Sequence, residues 1–243
     1  MDLILLDWTR MGKCFCLAGV VVDGSQLYIV RPLPISQRGV ASQHLGWSSH
    51  LFAGYERWQV FELVGPESAG APPPHVEDVW VQELRPRGRS APVELRRAIL
   101  TATAQNNEPL FGTTLHASRA TAFANPQSGK YSLTTVVVPA QEICFRGQRR
   151  EGTGDGRVRV ALPVRHLGQR TLPVTDHHLL LRAAEAAPEV ERQADWLTAT
   201  VRGLGPTVAV RLGLSRPFFW ADANPEPQCW LMADGFFSFS DPQ

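Results

Sequence analysis

The chain has 243 residues, of which 44% are hydrophobic and 19% are charged, and its 24 basic side chains nearly balance 23 acidic ones. A disordered segment would have fewer apolar residues and more net charge, and a small disulfide scaffold would be shorter and far richer in cysteine than a chain with four. The net charge of +1 provides no overall attraction to nucleic acid or to a membrane. The length suits one large all-β domain or two small domains, and either can bury a core.

The first half of the chain is predicted to be mostly strand. Runs of β-forming residues, with a turn signal at Asp23-Gly24, predict strands at residues 2–8, 14–22, 26–33, 58–64 and 78–84. Residues 36–54 are small and polar, and we expect a long excursion there. Pro92 precedes a stretch in which apolar residues recur at helical spacing, which predicts a helix over residues 93–104.

The second half combines strands with two helices. Strands are predicted at residues 131–138, 142–147, 157–164, 207–214 and 229–237. Thr175-Asp176 is an N-cap signal, and Pro188 interrupts the helical pattern that follows, so two short helices are predicted over residues 177–187 and 188–202. Short antiparallel strands with helices between them favour one or two small barrels over a parallel sheet.

The apolar segments of the sequence are short. Residues 1–7 have neither a basic n-region nor a long apolar stretch, and no apolar run reaches the roughly 18 residues that a membrane-spanning helix needs. We therefore expect a cytoplasmic protein with reduced cysteines and no membrane partner.

Motifs for catalysis or metal binding are weak in this sequence. Cys14 and Cys16 lie two residues apart, but neither has a partner pair or a histidine at the spacing of a zinc site. There is no nucleophile elbow, phosphate-binding loop or metalloprotease helix. Asp176, His177 and His178 are explained by an N-cap and the first turn of a helix, although a hydrolase or nuclease that uses these three residues stays open. We expect no catalytic residue, no cofactor and no metal.

Arginine is the sharper signal, because Lys13 and Lys130 are the only lysines. Seven arginines lie close together in the second half and are opposed only by Glu151 and Asp155: Arg146, Arg149, Arg150, Arg157, Arg159, Arg165 and Arg170. A guanidinium group pairs bidentately with phosphate and stacks on bases, so the cluster indicates a polyanion site. The alternative is that these arginines are ordinary solvent-exposed cations, in a protein that has arginine where others have lysine. That alternative better explains a second group, Arg85, Arg87, Arg89, Arg96 and Arg97.

Aromatic side chains are the other half of nucleic-acid recognition. Phe218, Phe219 and Trp220 follow Arg216-Pro217 in a loop after a predicted strand. Most aromatic residues belong to the core, but the flanking prolines place these three in a loop. We therefore predict that some of them contact a base.

Several short motifs, in order, resemble those of the bacterial dual OB-domain proteins. They are Thr9-Arg10, Gly12-Lys13-Cys14, Cys16–Gly19, Ile29–Leu33, Leu162-Pro163-Val164, Pro173–Asp176, Gly213–Phe218 and Cys229-Trp230-Leu231. The resemblance implies a mainly β fold of two tandem OB-like barrels, residues 1–124 and 125–243, joined by short helices. It also implies a setting in bacterial conflict or antiviral defence and a nucleic-acid or nucleotide ligand. The residues that match the family by position are Arg10, Lys13, Arg31, Arg216 and Phe218.

Together these patterns predict a non-catalytic protein that binds nucleic acid or a nucleotide-like ligand. The predicted binding residues are Arg10, Lys13, Arg31, Arg146, Arg149, Arg150, Arg157, Arg159, Arg216, Phe218 and Trp220. The alternative is a structural adaptor in a larger defence complex, in which the same arginines contact acidic protein surfaces.

Overall fold

The computed structural model describes residues 1–11, 14–40, 45–48, 55–105, 109–118, 121–149, 156–164, 167–168, 170–219 and 226–239. It is a mainly β protein, with 49% strand and 21% helix, and its two sheets curl into half-barrels. The predicted mainly β, barrel-based fold is therefore confirmed. No helix within the described residues is long and apolar enough to cross a membrane.

The first barrel contains eight strands in the described part of the chain. They are β1 (Asp2–Met11), β2 (Cys14–Asp23), β3 (Gln26–Pro34), β4 (Trp47–Ser48), β5 (Gln59–Val64), β6 (Glu67–Ser68), β7 (Asp78–Val81) and β8 (Glu83–Ser90). β1, β2 and β3 form an antiparallel meander, β5 pairs with β1, and β7 runs parallel to β3. β6 continues β5 and pairs with β7, which closes the circuit. If β5 and β6 are counted as one strand, and the short β4 and the edge strand β8 are left out, the barrel has five strands. Their order in the sheet is first (β1), second (β2), third (β3), fifth (β7) and fourth (β5 with β6).

The connecting helix α1 (Val93–Thr103) leads into the second barrel. Its strands are β9 (His116–Ala117), β10 (Ala122–Ala124), β11 (Leu133–Pro139), β12 (Cys144–Arg149), β13 (Gly156–Ala161), β14 (Thr171–Pro173), β15 (Thr207–Leu214) and β16 (Cys229–Ser238). The helices α2 (His177–Ala186) and α3 (Val190–Arg202) lie between β14 and β15. The predicted helices and the longer predicted strands are present, whereas the short strands β4, β6, β9, β10 and β14 and the arginine-rich β8 were not expected.

The second barrel has the same strand order as the first. β11 and β12 are one kinked strand joined by a short 3-10 turn, β13 and β14 continue the meander, and β15 pairs with both β11 and β16. A parallel bridge between Val174 and Ala233 brings the third strand against the fifth. β10 pairs with β16, so residues 122–124, just before the predicted boundary at residue 125, belong to the second sheet.

Local sequence explains how α2 and α3 are positioned. Asp176 caps α2, because its side chain accepts a hydrogen bond from the Leu179 N–H, as predicted. The first turn of α3 lies directly on the β12–β13 hairpin. A Cβ at Gly147 would lie 2.8 Å from the Val190 backbone, and one at Gly156 would lie 2.6 Å from the Val190 side chain. Two glycines therefore permit the close contact between hairpin and helix.

Among the described residues, three clusters of apolar side chains form the core. One fills the first barrel, and a second fills the space between the second barrel and its two helices. The third lies between the barrels, where Ile4, Leu6 and Trp58 of the first barrel pack with Ala209 and Phe237 of the second. The barrels are thus joined by a shared apolar core.

Candidate nucleic-acid interface

Three of the predicted arginines lie on one face of the second barrel. In the β12–β13 hairpin Arg146 is directly opposite Arg159, and Gln148 is opposite Arg157. Arg157 and Arg159 alternate with the buried Val158 and Val160, so they point away from the barrel interior. We call Arg146, Arg157 and Arg159 the arginine face. No acidic residue occupies the outward positions of β12, β13 and β14.

The three members of the arginine face have different environments. Arg146 and Arg157 are exposed, and neither makes an ion pair with a described residue. Arg159 is only 8% exposed and lies along β14, where its Nε donates to Thr171 Oγ1 at 2.8 Å and its Nη2 to the Thr171 carbonyl at 2.6 Å. Burial and the charge of Arg157 lower the pKa of Arg159. Arg146 and Arg159 are like charges directly opposite each other, an arrangement that destabilises a sheet.

The other arginines of the predicted cluster point elsewhere or lie outside the described residues. Arg149 points towards α3, and its Nε and Nη2 donate to the two carboxylate oxygens of Glu191 at 2.8 and 3.1 Å. Arg170 donates to the backbone carbonyls of Ser118 and Leu167. Arg150 and Arg165 lie outside the described residues.

The segment that follows β15 holds Phe218 and Phe219, two of the predicted aromatic residues. Phe218 bridges to Gln228, and the indole N–H of Trp230 donates to the Phe218 carbonyl at 3.1 Å. The Phe218 ring is half-buried, 6.1 Å from the Trp230 ring. Phe219, omitted from the predicted binding set, is 55% exposed. Side chains alternate along an extended segment, so Phe219 faces solvent where its neighbour Phe218 faces inward. This alternation is the signal that points to Phe219 as an exposed binding residue. Trp220 lies outside the described residues.

Arg31 is buried at the junction of the two barrels. It is 3% exposed and is surrounded by polar groups from the loop that precedes β7. Its guanidinium lies 3.3 Å from Asp78 Oδ1 and 3.4 Å from Glu77 Oε1, and its Nη2 donates to Ser132 Oγ of the second barrel at 2.5 Å. Burial, followed by the charge of Arg31, lowers the pKa of His75 to about 2. The ring of His75 is therefore neutral, and its Nδ1 accepts from Arg31 Nη1 at 2.8 Å.

Arg216 joins the same network from the other side. It is 9% exposed, and its Nη2 donates to Asp78 Oδ2 at 2.7 Å. The Asp78 carboxylate therefore receives one arginine from each barrel. These contacts place Arg31 and Arg216, both predicted as ligand contacts, among the residues that join the barrels.

A second buried charge pair crosses the junction nearby. Arg211, which is 0% exposed, donates through Nε and Nη2 to both carboxylate oxygens of Asp7, the shortest distance being 2.7 Å. Both residues lie at β-bulges, one in β1 and one where β15 pairs with β16. We call these buried groups, with Arg31, Arg216 and their carboxylate partners, the junction network.

Asp234 is a further carboxyl group in the junction network. It is the extra residue at the bulge in β16, and Thr175 Oγ1 donates to its Oδ1 at 2.5 Å. Its Oδ2 occupies the space above Gly213, where a Cβ would lie only 1.8 Å away. Burial, together with the negative charge of Asp7, raises the pKa of Asp234 to about 7. The cavity beside these groups measures about 20 Å³, room for one water molecule.

The remaining predicted residues lie near the end of β1 and the start of α2. Arg10 is exposed at the end of β1, and Lys13 lies outside the described residues. Asp176 uses one oxygen as the N-cap and the other to pair with Arg57. The His177 ring packs on Trp8 and Phe15, with ring centroids 5.0 and 4.6 Å away. Burial, before any nearby charge, lowers the pKa of both His177 and His178. No hydrogen bond between described residues joins either histidine to Asp176.

The described cysteines are single thiols. Cys14, Cys16 and Cys144 are partly buried and Cys229 is buried. Burial raises the pKa of the Cys16 thiol, which lies in the cavity of the junction network. Within the described residues, no group of three or more histidine, cysteine or acidic side chains could hold a metal ion.

The fold and the candidate site define a two-barrel β protein with an arginine face on its second barrel. Comparison of the chain with family models, with curated proteins and with solved structures finds no match.

Proposed function

We propose that this protein is a non-catalytic nucleic-acid-binding protein whose main contact surface is the arginine face. The observation that carries the proposal is the pair of opposed arginines, Arg146 and Arg159, next to the exposed Arg157 on an outward surface without acidic residues. Such a surface is stabilised by phosphate groups, which pair with guanidinium forks.

The strand order supports this choice of surface. A five-stranded circuit in the order first, second, third, fifth and fourth is the arrangement of an OB barrel, which binds oligonucleotides on its second and third strands and on two loops. In the second barrel those strands are β13 and β14, and the second loop is the connection between β15 and β16, in which residues 215–219 and 226–228 are described. Arg157 and Arg159 lie on the first of these strands, and Phe219 lies in the second loop.

The two kinds of side chain have separate roles in the proposal. Arg146 and Arg157 contact phosphates, which supplies affinity and salt dependence but little sequence preference. Phe219 offers a face on which an unpaired base stacks. The combination favours single-stranded nucleic acid. The resemblance to bacterial dual OB-domain proteins supports placing this activity in a defence system, as part of the same proposal.

The test compares two double variants with the same change in charge. Arg146→Ala with Arg157→Ala removes two arginines of the arginine face, whereas Arg85→Ala with Arg89→Ala removes two exposed arginines that pair with Glu62, Glu83 and Asp2 on the first barrel. Binding to labelled single-stranded oligonucleotides is measured by fluorescence anisotropy over a range of salt concentrations.

We expect the first variant to bind about tenfold or more weakly at low salt. Its plot of log affinity against log salt should be less steep by about 1.4, because two phosphate contacts are lost. The control should bind as the unmodified protein does. Equal losses in both variants would mean that only net charge matters, and absence of binding at low salt would refute the proposal. A stable protein partner whose binding is lost in the first variant would instead establish the adaptor role.

A further inference from the structure

A second surface feature is a groove along the seam between the two barrels. It has a volume of about 390 Å³, within the range of small-molecule sites. One wall is β3, at Leu27, Tyr28 and Ile29, and the other is the last turn of α1 together with Tyr131 and Leu133 at the start of β11. Tyr28 is 46% exposed and Val76, at the mouth, is 51% exposed. Exposed aromatic and aliphatic side chains around one groove indicate a ligand with an apolar body.

Glu77 supplies a buried acceptor beside these apolar walls. It lines the groove and is only 8% exposed. Its Oε1 accepts from the Ser132 N–H at 3.1 Å, from the Ser132 hydroxyl and from Arg31 Nη2 at 3.4 Å. Its Oε2 is buried and accepts no hydrogen bond from any described residue. A buried carboxylate oxygen without a donor is unfavourable, so a ligand with an N–H group would be stabilised there.

The rim of the groove carries a cation. Lys130 is exposed and makes no ion pair with a described residue. The stem of Lys130 lies over Gly112, where a Cβ would be 2.8 Å from Lys130 Cγ, so the glycine leaves room for the lysine at this position. Gln105, also at the rim, is held by the hydroxyl of Tyr131.

We propose that this groove binds a nucleobase that carries an exocyclic amino group. The amino group donates to Glu77 Oε2, the ring packs against Tyr28, and a phosphate attached to the sugar is attracted to Lys130. The base belongs either to a free nucleotide or to a nucleic-acid strand, since both present the same ring and amino group. This site is separate from the arginine face and does not depend on it.

The first experiment measures the binding of matched nucleosides by titration calorimetry. Cytidine carries an amino group where uridine carries a carbonyl oxygen, and guanosine carries an amino group that inosine lacks. We expect cytidine and guanosine to bind at least about tenfold more tightly than uridine and inosine, because a site built for a donor rejects the analogue without it. Equal affinities within each pair, or no binding of any of the four, would overturn the proposal.

Variants locate the binding in the groove. Tyr28→Ala removes an exposed wall and should weaken cytidine binding about tenfold, whereas Leu181→Ala removes an exposed apolar side chain outside the groove and should leave it unchanged. Glu77→Gln should abolish the preference for cytidine over uridine. If Glu77→Gln fails to fold, Tyr28→Ala still decides the question, since unchanged cytidine affinity in Tyr28→Ala would refute the groove as the site.

The source of the base is distinguished by the phosphate. Cytidine monophosphate should bind more tightly than cytidine, and Lys130→Ala should remove that difference. If an oligonucleotide competes with the monophosphate even in Arg146→Ala with Arg157→Ala, the base comes from a strand; if it does not compete, the base comes from a free nucleotide. Either result supports the groove. Cytidine binding that is lost in the Arg146→Ala, Arg157→Ala variant would place the ligand on the arginine face and refute the separate site.

Discussion

The two barrels share a strand order but differ in what covers the outer face of their second and third strands. In the first barrel that face is buried: Ala18 and Val20 of β2 and Arg31 and Leu33 of β3 are all less than 9% exposed and lie towards the second barrel. In the second barrel the equivalent face of β13 and β14 carries Arg157 in contact with solvent.

Arginine has a different role in each place because its neighbours differ. Arg31 is enclosed by Glu77, Asp78 and Ser132, and removal from water is compensated by these partners. Arg157 keeps its hydration and has no carboxylate partner among the described residues. The outer face of the second and third strands therefore serves assembly in one barrel and is available for a ligand in the other.

The largest change in stability is expected when the buried arginine, Arg31, is truncated. Arg31→Ala leaves Glu77 and Asp78 buried without one of their cations, and we expect the free energy of unfolding to fall by about 3–5 kcal/mol. Arg157→Ala should change it by no more than about 0.5 kcal/mol. Urea denaturation of both variants measures the difference. If the two variants have similar free energies of unfolding, the contacts of Arg31 with Glu77 and Asp78 do not stabilise the fold.

The pH dependence of stability tests the junction network next. The pKa of Asp234 is raised to about 7 from 3.8, so the folded state holds this proton more tightly than the unfolded chain does. The stabilisation of the folded state by this proton is fully present below pH 3.8 and is lost as pH rises through about 7.

Asp234→Asn keeps an acceptor for Thr175 and removes the titration. Relative to this variant, the unmodified protein should lose a few kcal/mol of unfolding free energy between pH 4 and pH 8, since one pKa unit corresponds to about 1.4 kcal/mol. Denaturation midpoints of the two proteins across that range give the measurement. Parallel curves would show that Asp234 does not titrate in this window.

A variant of the exposed Phe219 tests whether an aromatic side chain contributes to ligand binding on the second barrel. Phe219→Ala should weaken binding of single-stranded oligonucleotides by about 1–2 kcal/mol, because one stacked base is lost, and should leave the salt dependence unchanged. Anisotropy titrations at two salt concentrations separate these effects. A change in the salt dependence would instead assign Phe219 an indirect role in positioning arginines.

The smallest effect is expected for Arg149. Its guanidinium is already paired with Glu191, so Arg149→Ala should change oligonucleotide affinity less than twofold, whereas Arg146→Ala should reduce it several-fold. Side-by-side titration of these single variants is the check. If Arg149→Ala has the larger effect, the nucleic acid follows the turn of the hairpin and not its outer face.

The elements of the fold that depend on local pattern were predictable. Strands at residues 207–214 and 229–237, the Asp23-Gly24 hairpin and the Asp176 cap follow from β-propensity, turn chemistry and capping, which act within a few residues. The short strands β10 and β14 were not predicted, because three residues carry no periodicity and these strands form only by pairing with other parts of the chain.

The candidate site was predictable only in part, for the same physical reason. The alternation of Arg157 and Arg159 with valines indicated one outward face, and the structure has that face. The burial of Arg31 depends on Asp78 and Ser132, which lie 47 and 101 residues away in the chain. No spacing within the sequence encodes such a contact.

The sequence by itself determined the longer strands, the helices and the concentration of arginine in the second half, because propensity, capping and composition are local properties. Only the tertiary structure decided which arginines face solvent and which join the barrels. Burial and ion pairing are set by groups brought together from distant parts of the chain, and a charged side chain responds to whichever neighbours surround it.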